Sequence, residues 1–168
     1  MDKTFLHRKQ CSIYNFFKEY TNTLHREKTK EKIEETILCE SSEQAKLCVS
    51  GMLAFIENGY GEKGRWLIGL DMEDLAISIF DRKTIKFLHK TFHFPPDEEA
   101  MEEIKSKVKD SIVVLTSFII PDDDSWGLDQ LETVNAEIER ATKAESMIWW
   151  QVSLVENVKD YTLDIWYR

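Results

Sequence analysis

Apolar positions in this chain recur with two periods, one near 3.6 residues and one of 2, and their succession predicts helices and strands in mixed order. Ile13, Phe16, Phe17 and Tyr20 form one helical stripe, with Lys18 and Glu19 facing water. A charged stretch, 26–35, leads into Ile37-Leu38-Cys39, which either ends a helix or forms a short strand. Ser41 and Gln44 have capping-box spacing, and Ala45, Cys48, Met52, Phe55 and Ile56 continue a helical apolar face. Asn58-Gly59 is expected to close that helix, because both residue types tolerate the left-handed conformation.

Trp66–Leu70 reads as a strand. Leu75–Phe80 and Ile85–Phe94 flank Asp81-Arg82-Lys83-Thr84 and read as a β-hairpin, since Ile77 and Ile79 alternate with Ser78 and Phe80, and Ile85 and Phe87 with Lys86. The alternative over the first arm is a helix from Asp71 onward. Pro95-Pro96 breaks the pattern; Asp97, Glu98 and Glu99 then suit a helix N-terminus, Met101, Ile104 and Val108 supply its buried stripe, and Lys105, Lys107 and Lys109 suit its negative end. Ser111–Leu115 is continuous and β-branched, as a strand covered on both faces would be. Pro121–Ser125 is a loop, and Leu128, Leu131, Val134 and Ile138 space a helix. Met147–Leu154 and Tyr161–Tyr167 close the chain as strands joined by a turn at Val158-Lys159-Asp160. These elements predict an α/β (α+β) fold, a mixed β-sheet packed with about four helices and a β-α-β-β C-terminal half.

The 168 residues suffice for one domain with a real core, and 42% hydrophobic with 32% charged residues fits a globular chain. The net charge of -9 argues against nucleic-acid binding, which needs a basic face. Charge is unevenly spread. Residues 1–30 carry seven basic against three acidic side chains, about +4, which leaves about -13 on the rest. We therefore expect residues 1–168 to form a single domain with a basic N-terminal helical arm, 1–30. Cys11, Cys39 and Cys48 lack the spacing of a disulfide framework or zinc site, and both Cys39 and Cys48 fall in apolar surroundings. With no leader-like start and no apolar run of membrane length, a reducing cytoplasm is the expected location.

Candidate chemistry is sparse. Gly59-Tyr60-Gly61-Glu62-Lys63-Gly64 spells GxGxxG, but a helix precedes it and a strand follows, the reverse of a dinucleotide site, so it reads as a helix-ending turn. His89 and His93 share a side of their element without an assignable third metal ligand. Asp71, Glu73 and Asp74, and Asp122 to Asp124, sit after strands, where they read as turn and cap carboxylates. No Ser lies in a nucleophile elbow. Trp149 and Trp150 are adjacent in a strand and must point to opposite sheet faces. If helices leave one face open, its tryptophan is a natural contact anchor.

One stretch resembles a known family. Leu128-Asp129-Gln130-Leu131-Glu132-Thr133-Val134-Asn135, preceded by Ile112-Val113-Val114-Leu115 and followed by Ile148-Trp149-Trp150-Gln151-Val152 and Tyr161-Thr162-Leu163-Asp164-Ile165, is similar to the C-terminal domain of FtsZ, the bacterial tubulin homologue. The resemblance spans 111–168 and implies a strand, a helix with a Leu-Asp-x-x-Glu start, a strand and a final antiparallel strand in one sheet. FtsZ-type GTPases also carry a glycine-rich phosphate loop and a separate acidic loop, and the six glycines here reproduce neither, so GTP hydrolysis is not carried over.

The expected function is that of a cytoplasmic, non-enzymatic interaction or regulatory protein, an accessory module of FtsZ/tubulin type without the GTPase half. Trp126, Trp149, Trp150 and Trp166 are the expected contact residues, with Asp129 and Glu132 as polar flanks. A protein partner and a possible homo-oligomer are expected; no cofactor, metal or catalytic residue is assigned. Two alternatives stand beside it: an acidic inhibitor or immunity-type protein for a basic toxin or nucleic-acid enzyme, and a small enzyme using Asp71 or Asp74 with His89.

Overall fold

The computed structural model describes residues 38–60, 64–69, 84–123 and 126–168. Its elements run β1 (Leu38–Cys39), α1 (Ser42–Tyr60), β2 (Gly64–Ile68), β3 (Thr84–Phe92), α2 (Glu98–Val108), β4 (Val113–Pro121), α3 (Leu128–Ala141), β5 (Met147–Val155) and β6 (Tyr161–Tyr167). Three helices thus lie among the described residues, where about four are expected; the expected helix over Ile13–Tyr20 and the arm 1–30 fall outside them. No helix among the described residues is long and apolar enough to cross a membrane.

The six strands form one mixed sheet in the order β1-β3-β6-β4-β5-β2. β4 lies parallel to β5 and antiparallel to β6, so the last two strands flank β4 rather than pairing with each other. The connection 156–160 therefore passes over the end of β4, spanning two strand spacings or about 10 Å. It turns at Asn157, whose φ of 63° suits a short amide side chain.

β3 matches the second arm of the expected hairpin. Its partner is β6, in register from Lys86↔Tyr167 to Phe92↔Tyr161, with β1 beside Thr84 and Ile85 on the other edge. The other expected arm, Leu75–Phe80, lies outside the described residues. Past the end of β1, the Phe87 N–H donates to Oε1 of Gln44 at 3.1 Å, so a helix side chain takes the place of a strand partner. Gln44 thereby leaves the capping box half-built: Ser41 Oγ accepts from Gln44 N at 3.2 Å, but the return bond is spent on β3.

The two faces of the sheet bury different sets. Val114, Phe118 and Ile120 of β4, Val152 and Leu154 of β5, and Leu163 and Ile165 of β6 pack beneath Met101, Ile104 and Val108 of α2 and Leu131, Val134 and Ile138 of α3. Asp97 caps α2 by accepting from Ala100 N at 2.8 Å, and the acidic start and lysine-rich end complement its dipole as expected. At α3 the Gly127 N–H donates to Oε1 of Gln130, 3.1 Å.

α1 covers the opposite face alone among the described helices. It links one sheet edge to the other: 19 residues give about 28 Å, and crossing from β1 to β2 takes about 24 Å. Near its middle the helix backbone comes so close to β3 and β6 that a Cβ on Gly51 would stand 2.4 Å from Phe87 Cζ and 3.2 Å from Trp166 Cζ2. Asn58 and Gly59 do not close this helix, which runs to Tyr60 without any glycine of positive φ among the described residues.

Candidate functional site

Register places four polar side chains in one row across the α1 face. His89 on β3 lies opposite Asp164 on β6, Asp164 opposite Ser117 on β4, and Ser117 opposite Gln151 on β5. Asp164 is 2% exposed, and Ser117, Gln151 and Ser153 are buried. Their bonds run along the row: His89 donates from Nδ1 to Oδ1 of Asp164 at 2.6 Å, Gln151 Nε2 donates to Ser117 Oγ, and Ser153 Oγ donates to Oε1 of Gln151 at 3.1 Å. A buried carboxylate opposite a half-exposed imidazole favours the imidazolium; the bond to Asp164 raises the His89 pKa against the opposing effect of burial.

The order of the row limits its chemistry. A nucleophilic triad needs the histidine between hydroxyl and carboxylate. Here the carboxylate stands between His89 and Ser117, and the Ser117 hydroxyl is engaged by an amide. The row therefore supplies a charge pair and a satisfied buried network rather than an activated nucleophile. The partners expected for His89, Asp71 and Asp74, lie outside the described residues. His93 is taken by Asp160, at 3.3 Å on an exposed surface, so the two histidines turn to separate carboxylates. Among the described residues no three His, Cys, Asp or Glu side chains cluster as a metal site.

The expected contact residues do not form one patch. Trp166 is corrected to core: it is 1% exposed, with Phe87 tilted against it at 5.1 Å and Phe55 edge-on at 6.0 Å. Trp149 and Trp150 are half-buried on opposite faces, since Trp149 aligns with Leu115 and Trp150 with Thr116. Trp150 packs edge-on to Phe118 at 6.3 Å, under α3. Trp126 is at the far end of β4, where its Nε1 donates to the Pro121 carbonyl at 3.0 Å, near the exposed Asp129 and Glu132 at the start of α3.

Sequence reasoning missed an apolar pair beside Trp149. Ile112 and Met147 are 41% and 46% exposed, and Met147 N donates to Ile112 O at 3.0 Å where β4 and β5 begin. Met147–Trp150 has no strand on its outer edge among the described residues, because β2 pairs with β5 only from Val152 onward. Ile112, Met147 and Trp149 thus adjoin a strand segment with no outer partner among the described residues.

No protein-family model matches this chain, and no curated protein matches it. Solved structures do. FtsZ from M. jannaschii, as an empty dimer, matches 73% of this chain and 37% of that chain at 14% identity and a TM-score of 0.53. A tryptophan-to-tyrosine mutant of M. jannaschii FtsZ matches 73% and 38% at 12% identity and the same TM-score of 0.53. The fold is FtsZ-like. CetZ2 from Haloferax volcanii, a GTPgS-bound protofilament, is matched at 9% identity and a TM-score of 0.49, over 76% of this chain and 41% of that one.

The FtsZ likeness extends beyond 111–168, where the sequence resemblance lay, and this chain spans well under half the length of the FtsZ chains it matches. Within this FtsZ-like fold, Gly59 lies in the last turn of α1 and Gly64 opens β2, so the GxGxxG segment has a helix before it and a strand after it, as read from the sequence. Two signals for the α1 face were present in the sequence. Gly51 falls on the same helical stripe as Cys48, Met52 and Phe55, which marks a close approach. Ser117, Gln151 and Asp164 each interrupt an apolar strand.

Proposed function

We propose that this chain is a non-enzymatic, cytoplasmic interaction module that uses an FtsZ-like fold to contact FtsZ-type subunits, modulating their assembly without hydrolysing nucleotide. The observation that carries this reading is the FtsZ-like fold, matched over 73% of this chain but only 37% of FtsZ itself. One of the matched structures is a dimer, which supports a subunit contact as the use of such a fold. The contact surface we favour is the start of β4 and β5, with Ile112, Met147 and Trp149 as apolar anchors beside the Met147–Trp150 edge, which no strand among the described residues covers. Trp126, Asp129 and Glu132 form a second, more polar surface at the opposite end of β4.

Sedimentation of assembling FtsZ with and without this protein tests the proposal. Added chain is expected to change the pelleted fraction, and Trp149→Ala to abolish the change. An unaltered pellet at molar excess would overturn it.

The net charge of -9 supports a rival, an acidic inhibitor of a basic partner. Such a complex would weaken steeply with salt, whereas an apolar contact would not.

A further inference from the structure

Of the five methionines in the chain, Met52, Met101 and Met147 lie among the described residues, and their surroundings differ. Met52 on α1 is 0% exposed and Met101 on α2 is 7% exposed, whereas Met147, which opens β5, is 46% exposed. The Met147 backbone is pinned: its N–H donates to Ile112 O at 3.0 Å, and the register sets it opposite Val113 of β4, itself buried. Met147 shares a sheet face with Trp149, two residues on. Its thioether is therefore held at the surface, within the apolar group assigned to the contact.

We infer that Met147 is an oxidation site that controls this contact. Its sulfur takes one oxygen from hydrogen peroxide, and the sulfoxide weakens partner binding until a reductase supplied with a dithiol removes the oxygen. The inference rests on the contact surface proposed above. In the forward step a sulfur lone pair attacks one peroxide oxygen, an S–O bond forms and the O–O bond breaks. The thioether loses two electrons, and the peroxide is reduced to water. In the reverse step two thiols are oxidised to a disulfide, and the oxygen leaves as water.

Polarity links the modification to binding. A thioether is apolar and polarisable, which suits an adaptable contact. A sulfoxide carries a strong acceptor oxygen, which an apolar partner would strip of water without replacing its hydrogen bonds. Because Met147 is already exposed in the chain alone, its oxidation acts at the contact and leaves the fold intact. Met52 and Met101 are buried, so an oxidant reaches them only when the fold opens.

The test treats the full chain, with its cysteines kept reduced, with limiting hydrogen peroxide and maps the products by mass spectrometry. Met147 should gain one oxygen at least about tenfold faster than Met52 or Met101. The effect of the chain on the pelleted fraction of assembling FtsZ should then fall about tenfold. It should return after methionine sulfoxide reductase with dithiothreitol, and be lost without any oxidant in Met147→Gln. Equal oxidation of the three methionines, loss of fold by circular dichroism on oxidation, or a full effect from oxidised chain or from Met147→Gln would overturn the inference. An untreated chain that leaves the pellet unchanged would instead overturn the contact itself, and its control with it.

Discussion

His89 Nδ1 meets the buried Asp164 Oδ1 at 2.6 Å, joining residues 75 positions apart across the β3–β6 pair. Because that bond raises the His89 pKa, its contribution to stability is complete below the unfolded pKa of about 6.5 and is lost as pH rises through the higher folded value. The urea midpoint of the wild-type chain is expected to fall between about pH 6 and about pH 9 more than that of His89→Ala. His89 is half-exposed, so solvent screening keeps the difference small. Parallel pH profiles for the two proteins would contradict this.

Gly51 faces Phe87 and Trp166 with no room for a methyl group. Gly51→Ala should cost about 1–3 kcal/mol in urea unfolding by overpacking the helix against the sheet. Phe87→Leu removes the ring atoms that the new Cβ would meet, so the double variant should be less destabilised than the sum of the singles. Strict additivity would mean that the clash is relieved elsewhere.

Thr116 Oγ1 donates to Asn135 Oδ1 at 3.0 Å inside the α3–sheet layer, where both residues are buried. Asn135→Leu should cost about 1–3 kcal/mol, since the hydroxyl is left with only the distant Trp149 carbonyl, 3.4 Å away. Thr116→Val combined with Asn135→Leu should recover part of that loss. Equal costs for the single and the double would show that the bond contributes nothing.

The tryptophans should separate cleanly by role. Trp166→Ala empties the centre of the α1 face and is expected to cost about 3–5 kcal/mol. Trp149→Ala should leave the chain folded by circular dichroism and weaken partner binding by about tenfold or more. A binding loss confined to Trp126→Ala would move the contact to the start of α3.

The C-terminal half was legible because its signals are local. β4, α3, β5 and β6 each carry their own periodicity, and α2 carries a cap, a buried stripe and a charge gradient. What escaped were relations between distant segments. Nothing near Ile85–Phe94 announces that Tyr161–Tyr167 lies beside it in the sheet. The short connection 156–160 suggested neighbouring strands, whereas β4 lies between them. Trp166 was misassigned for the same reason: alternation tells which residues share a face, but the helix covering that face comes from more than a hundred residues upstream. Gln44 was read as a capping residue because spacing shows the box but not the competing N–H of Phe87.

Hydrogen exchange of the chain mixed with assembling FtsZ tests the proposed contact most directly. The account predicts slower exchange at Ile112 and along Met147–Trp150 on adding FtsZ, with the Trp126–Glu132 surface unchanged. Unchanged exchange across the whole chain with FtsZ in excess would contradict it.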